Sequence, residues 1–164
     1  MPRLKLDQNS SLYTRIPQYP MFVEDEIEIW LYSSGKKFCL FRDSLHYVLR
    51  VEGSWVVQYI TSGSFKTGKE LSEIFLNNCF GKNSDKSYVN YLFLEYANYH
   101  NNVTWLSRSD NDANIMLEVW KFDAFATPYI CEKRCAFSIP YADFIEWWNQ
   151  VLLLDQIPDF ENEN

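Results

Sequence analysis

The spacing of apolar residues changes at Pro140, and this change limits the chain to folds that contain both strands and helices. Before the proline, apolar side chains recur at every second position of 114–125, as in a strand with one buried face. After it, apolar residues repeat at helical spacing, at Tyr141, Phe144, Ile145, Trp148 and Leu152. Proline is tolerated at the first position of a helix. Trp147 falls off this apolar stripe, and we expect it to pack at the edge of the stripe.

Other period-two runs predict further strands, which glycine-containing turns join into hairpins. The predicted strands are Glu26–Tyr32, Phe38–Phe41, Tyr47–Val51, Ser54–Thr61, Asn114–Phe125 and Arg134–Ile139. A helix is predicted over Lys69–Cys79, ended by Gly81. The stretch Ser87–Tyr99 is apolar nearly all round and fits a buried helix or a buried strand, and we favour the helix.

These elements predict one α+β domain, because 164 residues are enough for a single core and strands and helices are mixed. We expect an antiparallel sheet of hairpins with helices packed on it and an amphipathic helix at the C-terminal end. Residues 1–21 are polar and proline-punctuated, which indicates an N-terminal arm. The domain then spans 22–154. Residues 155–164 form an acidic, proline-broken tail.

The chain carries no signal for a membrane or for secretion. No run approaches the ~20 apolar residues of a membrane-spanning helix, and the first residues lack the apolar region of a signal peptide. We therefore predict a cytoplasmic protein whose four cysteines are reduced. The pair Cys131 and Cys135 allows a zinc site, but zinc sites need a second pair of ligands nearby. We favour two packed thiols and expect no metal.

Two features of composition point to a protein partner. The chain has 22 acidic and 15 basic residues, a net charge of −7, and 18% aromatic residues. An acidic field repels nucleic acid and attracts basic proteins. Carboxylates and an aromatic side chain share one face of the strand at 26–32, which suits docking, although a solvated strand face fits equally well. The candidate partner-binding residues are Glu26, Glu28, Trp30, Asp110, Asp112, Glu118 and Asp123.

No set of residues predicts catalysis. The segment Gly63–Lys69 resembles a phosphate-binding loop that opens a helix, but Glu70 stands where a magnesium-binding Ser or Thr is needed. A carboxylate there repels phosphate. The two histidines, His46 and His100, lie in no recognisable catalytic motif. We therefore predict no enzymatic activity, no catalytic residue and no cofactor.

The C-terminal part of the chain resembles immunity proteins of bacterial toxin systems, especially those of contact-dependent growth inhibition. The resemblance lies in Ile115–Phe122 (IMLEVWKF) and Cys135–Trp148 (CAFSIPYADFIEWW), two aromatic strands that lead into a proline-started amphipathic helix. Such proteins are small, often acidic and cytoplasmic. They bind a cognate toxin domain, commonly a basic nuclease, and occlude its active site or substrate groove.

This resemblance implies a non-enzymatic inhibitor whose partner is a basic toxin domain. Two alternatives stay open on the sequence. One is a small nucleotide-binding protein or enzyme that uses the Gly63–Lys69 loop. The other is an accessory chaperone of a basic effector, which would present a similar acidic surface.

Overall fold

In a computed structural model of the protein, the residues described are 1–16, 26–44, 66–81, 84–93, 101–108, 113–123 and 130–156. Within these ranges the chain forms seven strands, two α-helices and two short 3₁₀ helices. The predicted α+β class, with antiparallel hairpins and a C-terminal helix packed on them, is confirmed. The strands divide between two antiparallel sheets.

The first sheet has four strands that pair in chain order. They are β1 (Arg3–Asp7), β2 (Ser10–Arg15), β3 (Glu26–Ser33) and β4 (Lys36–Ser44). Ser34 and Gly35 both have positive φ, which is typical of the tight turns that join antiparallel strands. Side chains at alternate positions of β3 enter the core, and Ile27, Ile29 and Leu31 are fully buried. The opposite face of this sheet carries polar and aromatic side chains.

The hairpin of β1 and β2 lies where the sequence predicts an N-terminal arm. Leu4 pairs with Leu12 across the two strands, and both side chains are buried. The inward positions of β2 also include Ser10 and Thr14, which are polar but buried. Because only one of these three inward residues is apolar, the alternation that marks a strand is hidden in the sequence.

The second sheet has the order β5-β6-β7. Its strands are β5 (Asn102–Arg108), β6 (Asn114–Asp123) and β7 (Ile130–Pro140). Strand β6 begins at the predicted residue, and the last two residues of the predicted strand, 124 and 125, lie outside the described residues. Strand β7 begins earlier than predicted. Strand β5 was not predicted, because six of its seven residues are buried and no polar face alternates with an apolar one. Asn102 links the two sheets by donating its side-chain amide to the carbonyl oxygen of Cys39, at 3.4 Å.

Helix α2 (Tyr141–Leu152) covers one face of the second sheet and reaches β1 of the first. Phe144 and Trp148 are fully buried in the cluster that joins both sheets, which confirms the predicted apolar stripe. Trp147 is only 2% exposed, so it belongs to the core and does not merely pack at its edge. The helix is therefore fixed to the sheets by three large aromatic side chains.

Helix α1 (Gly68–Cys79), predicted to within one residue, covers the other face of the second sheet. Its side chains form a second apolar cluster with β5, in which Trp105 donates its indole N–H to the Ser72 hydroxyl at 3.0 Å. A 3₁₀ helix at Ser87–Tyr91 completes this layer. The α-helix predicted over Ser87–Tyr99 is thus wrong in its first part, because the chain turns at Leu92 to pair with Trp105.

Some predicted elements lie outside the described residues. They are the strands Tyr47–Val51 and Ser54–Thr61, residues 94–99 of the predicted helix, and most of the predicted tail, 157–164. The second 3₁₀ helix, Leu153–Gln156, directly follows α2. None of the helices in the described part of the chain has the length and apolar character needed to cross a membrane.

Candidate functional site

The predicted acidic face of β3 is neutralised within its own sheet. Arg42 donates its Nε–H to the Glu26 carboxylate at 2.7 Å. The Glu28 carboxylate lies 3.8 Å from the Arg15 guanidinium, and Glu28 is only 5% exposed. Trp30 lies on the same face and is half-buried. The two carboxylates therefore contribute little free negative charge to a partner.

Cations outnumber carboxylates on this face of the first sheet. The strand register places five cations outward, namely Arg3, Lys5, Arg15, Lys37 and Arg42. Among the residues of these four strands, the register places two carboxylates there, Glu26 and Glu28. The face that the sequence predicts as acidic is thus cationic on balance, because β1, β2 and β4 bring arginine and lysine beside the glutamates of β3.

Glu118, another candidate, binds the N-terminus of α1. Its carboxylate accepts a hydrogen bond from the Gly68 backbone N–H at 2.6 Å. Helix N-termini have unpaired N–H groups and a partial positive charge, so a carboxylate is stabilising there. Glu118 therefore fastens α1 to β6. This role was missed by the sequence analysis because the two residues are 50 positions apart.

Two further N–H groups at the N-terminus of α1, those of Thr67 and Glu70, are capped locally. The Thr67 hydroxyl accepts from the Glu70 N–H at 3.2 Å, and the Glu70 carboxylate accepts from the Thr67 N–H at 3.4 Å. This reciprocal pair is a capping box. Residues 63–65 lie outside the described part, but the helix N-terminus that would hold a phosphate already holds two carboxylates, Glu118 and Glu70. The geometry therefore disfavours nucleotide binding by Gly63–Lys69.

The remaining described candidate, Asp123, lies on the second sheet. Asp123 is half-buried at the end of β6 and engaged in a further contact within the chain. Asp110 and Asp112 lie outside the described residues. Of the described candidates, the structure brings together only Glu26, Glu28 and Trp30.

A different acidic surface lies on α2. Residues 135–164 contain six acidic residues and no lysine or arginine, while the whole chain has a net charge of −7. On α2, Asp143 and Glu146 are exposed, and exposed Gln150 follows at helical spacing. Leu153, the first residue after α2, continues this spacing and is 55% exposed. We call these four residues the acidic stripe. Counting charge by segment along the sequence would have indicated it.

The cysteines show no sign of a shared site. Cys131 pairs with Phe122 and Cys135 with Val119, and these two residues of β6 point to opposite faces of the sheet. Burial raises the pKa of the Cys135 thiol to about 11, and burial also raises that of Cys39 to about 11. Within the described ranges, no three His, Cys, Asp or Glu side chains are grouped so as to hold a metal ion.

Comparison with known proteins found no matching family model, no matching curated protein and no matching solved structure.

Proposed function

We propose that this chain is an immunity protein that binds a cognate basic toxin domain and blocks the toxin's active site or substrate groove. The observation that supports this most is the acidic stripe, which lies in a 30-residue segment free of lysine and arginine. Carboxylates clustered in a segment that contains no lysine or arginine of its own attract a basic surface and speed its encounter. A toxin that grips phosphates needs such a basic surface.

The acidic stripe is held in place by the core beneath it. Phe144, Trp147 and Trp148 anchor the inner side of α2, and each is at most 2% exposed. Because the helix is fixed before binding, docking costs little ordering of the backbone. Leu153 adds an exposed apolar side chain at the end of the stripe, which can be buried against the partner.

In the proposed mechanism, the chain occupies the toxin's substrate groove and catalyses no reaction. Carboxylates in a cationic groove replace the phosphates of the toxin's substrate, so substrate and inhibitor compete for the same positive charges. The protein would act in the cytoplasm, where it meets the toxin. The nucleotide-binding alternative is weaker, because Glu118 and Glu70 occupy the N-terminus of α1.

Co-expression tests the proposal. The toxin domain would be the product of the gene immediately upstream, expressed from an inducible promoter with and without this chain. We expect growth to stop with the toxin alone and to resume when the chain is present. Binding without rescue would indicate an accessory chaperone of a basic effector. A neighbour that is not toxic, or is not bound, would contradict the immunity function.

A further inference from the structure

The outward side of the first sheet presents exposed cations beside tyrosine rings. The cross-strand pairs Arg3–Tyr13 and Tyr32–Lys37 share this side, and Lys5 follows two residues after Arg3 on β1. Arg3, Lys5 and Lys37 are exposed, and both tyrosines are half-buried. We call these five residues the cationic face.

The three cations of the cationic face, unlike the two other arginines on the same side of the sheet, are available to a partner. Arg15 and Arg42 are paired with Glu28 and Glu26, but Lys5 and Lys37 form no ion pair with any residue that the structure describes. The Arg3 guanidinium lies 4.9 Å from the centre of the Tyr13 ring, and it donates to the Ser11 hydroxyl at 3.5 Å. These contacts hold the Arg3 guanidinium against the sheet, and the exposed Lys5 and Lys37 lie on the same side.

We propose that the cationic face binds an acidic polypeptide segment of a partner protein. This surface is distinct from the acidic stripe, so the inference goes beyond the proposed function. Three cations that form no ion pair with a described residue match a short run of aspartate or glutamate side chains by charge complementarity. The two tyrosines add hydroxyl donors for carboxylate oxygens and flat apolar surface for the side-chain stems.

The face suits carboxylates better than the phosphates of a nucleic acid. A protein that makes about 6–10 phosphate contacts neutralises those phosphates with lysine and arginine side chains. Among the residues that the structure describes, this face has three cations outside ion pairs. Glu26 and Glu28 also lie on the same side of the sheet and would repel a continuous phosphate backbone. An acidic peptide can place its few charges at the cations and avoid the glutamates.

Fluorescence anisotropy with a labelled oligoglutamate peptide tests this inference on the full chain, with an oligothymidylate of equal charge as the competing ligand. The variant K5E/K37E reverses the two exposed lysines of the face. The matched control K69E/K86E makes the same charge change at exposed lysines near the second sheet. Thermal melting of each variant checks that the fold is retained.

We expect oligoglutamate to bind the wild type in a salt-dependent way, and K5E/K37E to bind it at least about tenfold more weakly. The control should stay within about twofold of the wild type, since surface charges far from a site act weakly. Equal weakening in both variants would show a general charge effect and overturn the proposal. So would an absence of saturable peptide binding, or tighter binding of oligothymidylate that K5E/K37E abolishes. The assay contains no toxin, so its result is independent of the immunity function.

Discussion

At the scale of single residues, the lack of a side chain at Gly68 lets the side chains of β6 lie close to the backbone of α1. A Cβ atom at this position would overlap the Glu118 carboxylate and the Trp120 indole. We expect Gly68→Ala to lower the free energy of unfolding by about 1–3 kcal/mol through overpacking. In an unhindered helix, the same change raises stability by about 0.5–1 kcal/mol. Chemical denaturation measures whether the free energy of unfolding rises or falls. A Gly68→Ala variant more stable than the wild type would contradict the close packing of Glu118 and Trp120 against Gly68.

The same substitution in a Glu118→Ala background provides the control. Removing the carboxylate relieves one of the two overlaps, so Gly68→Ala should cost less there than in the wild type. An unchanged cost would show that Glu118 does not restrict this position.

Two thiols, those of buried Cys39 and half-buried Cys135, predict how stability depends on pH. Burial raises the pKa of Cys39 and of Cys135 to about 11 in the folded protein, whereas an unfolded thiol ionises near ~8.5. A raised pKa in the folded state means that stability is retained below the unfolded pKa and lost as pH rises towards the folded pKa. The denaturant concentration at the unfolding midpoint should therefore decrease as the pH is raised from about 8.5 to 11. In the double variant Cys39→Ala/Cys135→Ala, the midpoint should decrease less over the same pH range. An equally large decrease would show that other groups cause the pH dependence.

At the scale of elements, α2 holds the two sheets together through its aromatic side chains. Trp148 is fully buried in the central cluster, so Trp148→Ala should cost about 3–5 kcal/mol of unfolding free energy. Asn149 is the neighbouring residue and is exposed, so Asn149→Ala should change stability by less than about 0.5 kcal/mol. Denaturant titration measures both. A cost below about 1 kcal/mol for Trp148→Ala would contradict its place in the core.

The N-terminus of α1 gives a second prediction at this scale. Because Glu118 and Glu70 occupy its N–H groups, we expect no saturable heat when magnesium-ATP or magnesium-GTP is titrated at micromolar concentration. Lys69→Ala should behave like the wild type. Micromolar nucleotide binding that Lys69→Ala abolishes would instead support the phosphate-loop alternative.

The elements differ in how well sequence predicts them, and the difference follows from burial. Strand β6 and helix α2 each bury one face, so their apolar periods are visible in the sequence. Strand β5 is buried on both faces, and β2 turns Ser10 and Thr14 inward, so neither shows a clean alternation. The candidate site was less predictable still. The ion pairs of Glu26 and Glu28 depend on strand register, which only the folded chain reveals.

At the scale of the whole molecule, the charge is distributed unevenly. Residues 1–44 contain six acidic and six basic residues, so their net charge is zero, whereas residues 135–164 contain six acidic residues and no lysine or arginine. A basic partner is therefore attracted mainly towards the C-terminal part of the chain. The outward side of the first sheet would repel it, because cations predominate there.

The association rate between this chain and the upstream toxin domain tests the central claim most directly. Stopped-flow fluorescence would compare the wild type with D143K/E146K, which reverses the charge of the acidic stripe. The control E73K/E132K makes the same charge change at exposed positions on α1 and β7. A lysine in the first turn of α2 lies near the positive end of the helix dipole and lowers the free energy of unfolding by about 0.3–1 kcal/mol. Melting curves should therefore confirm that the variant is folded.

We expect the wild-type rate to fall as salt rises, because the range of the field shrinks from about 10 Å at 0.1 M to about 3 Å at 1 M. At low salt, D143K/E146K should associate about tenfold more slowly or worse, and the control should stay within about threefold. If D143K/E146K associates as fast as the wild type, the acidic stripe is not the docking surface. If the wild type does not bind the toxin domain at all, the proposed function is wrong.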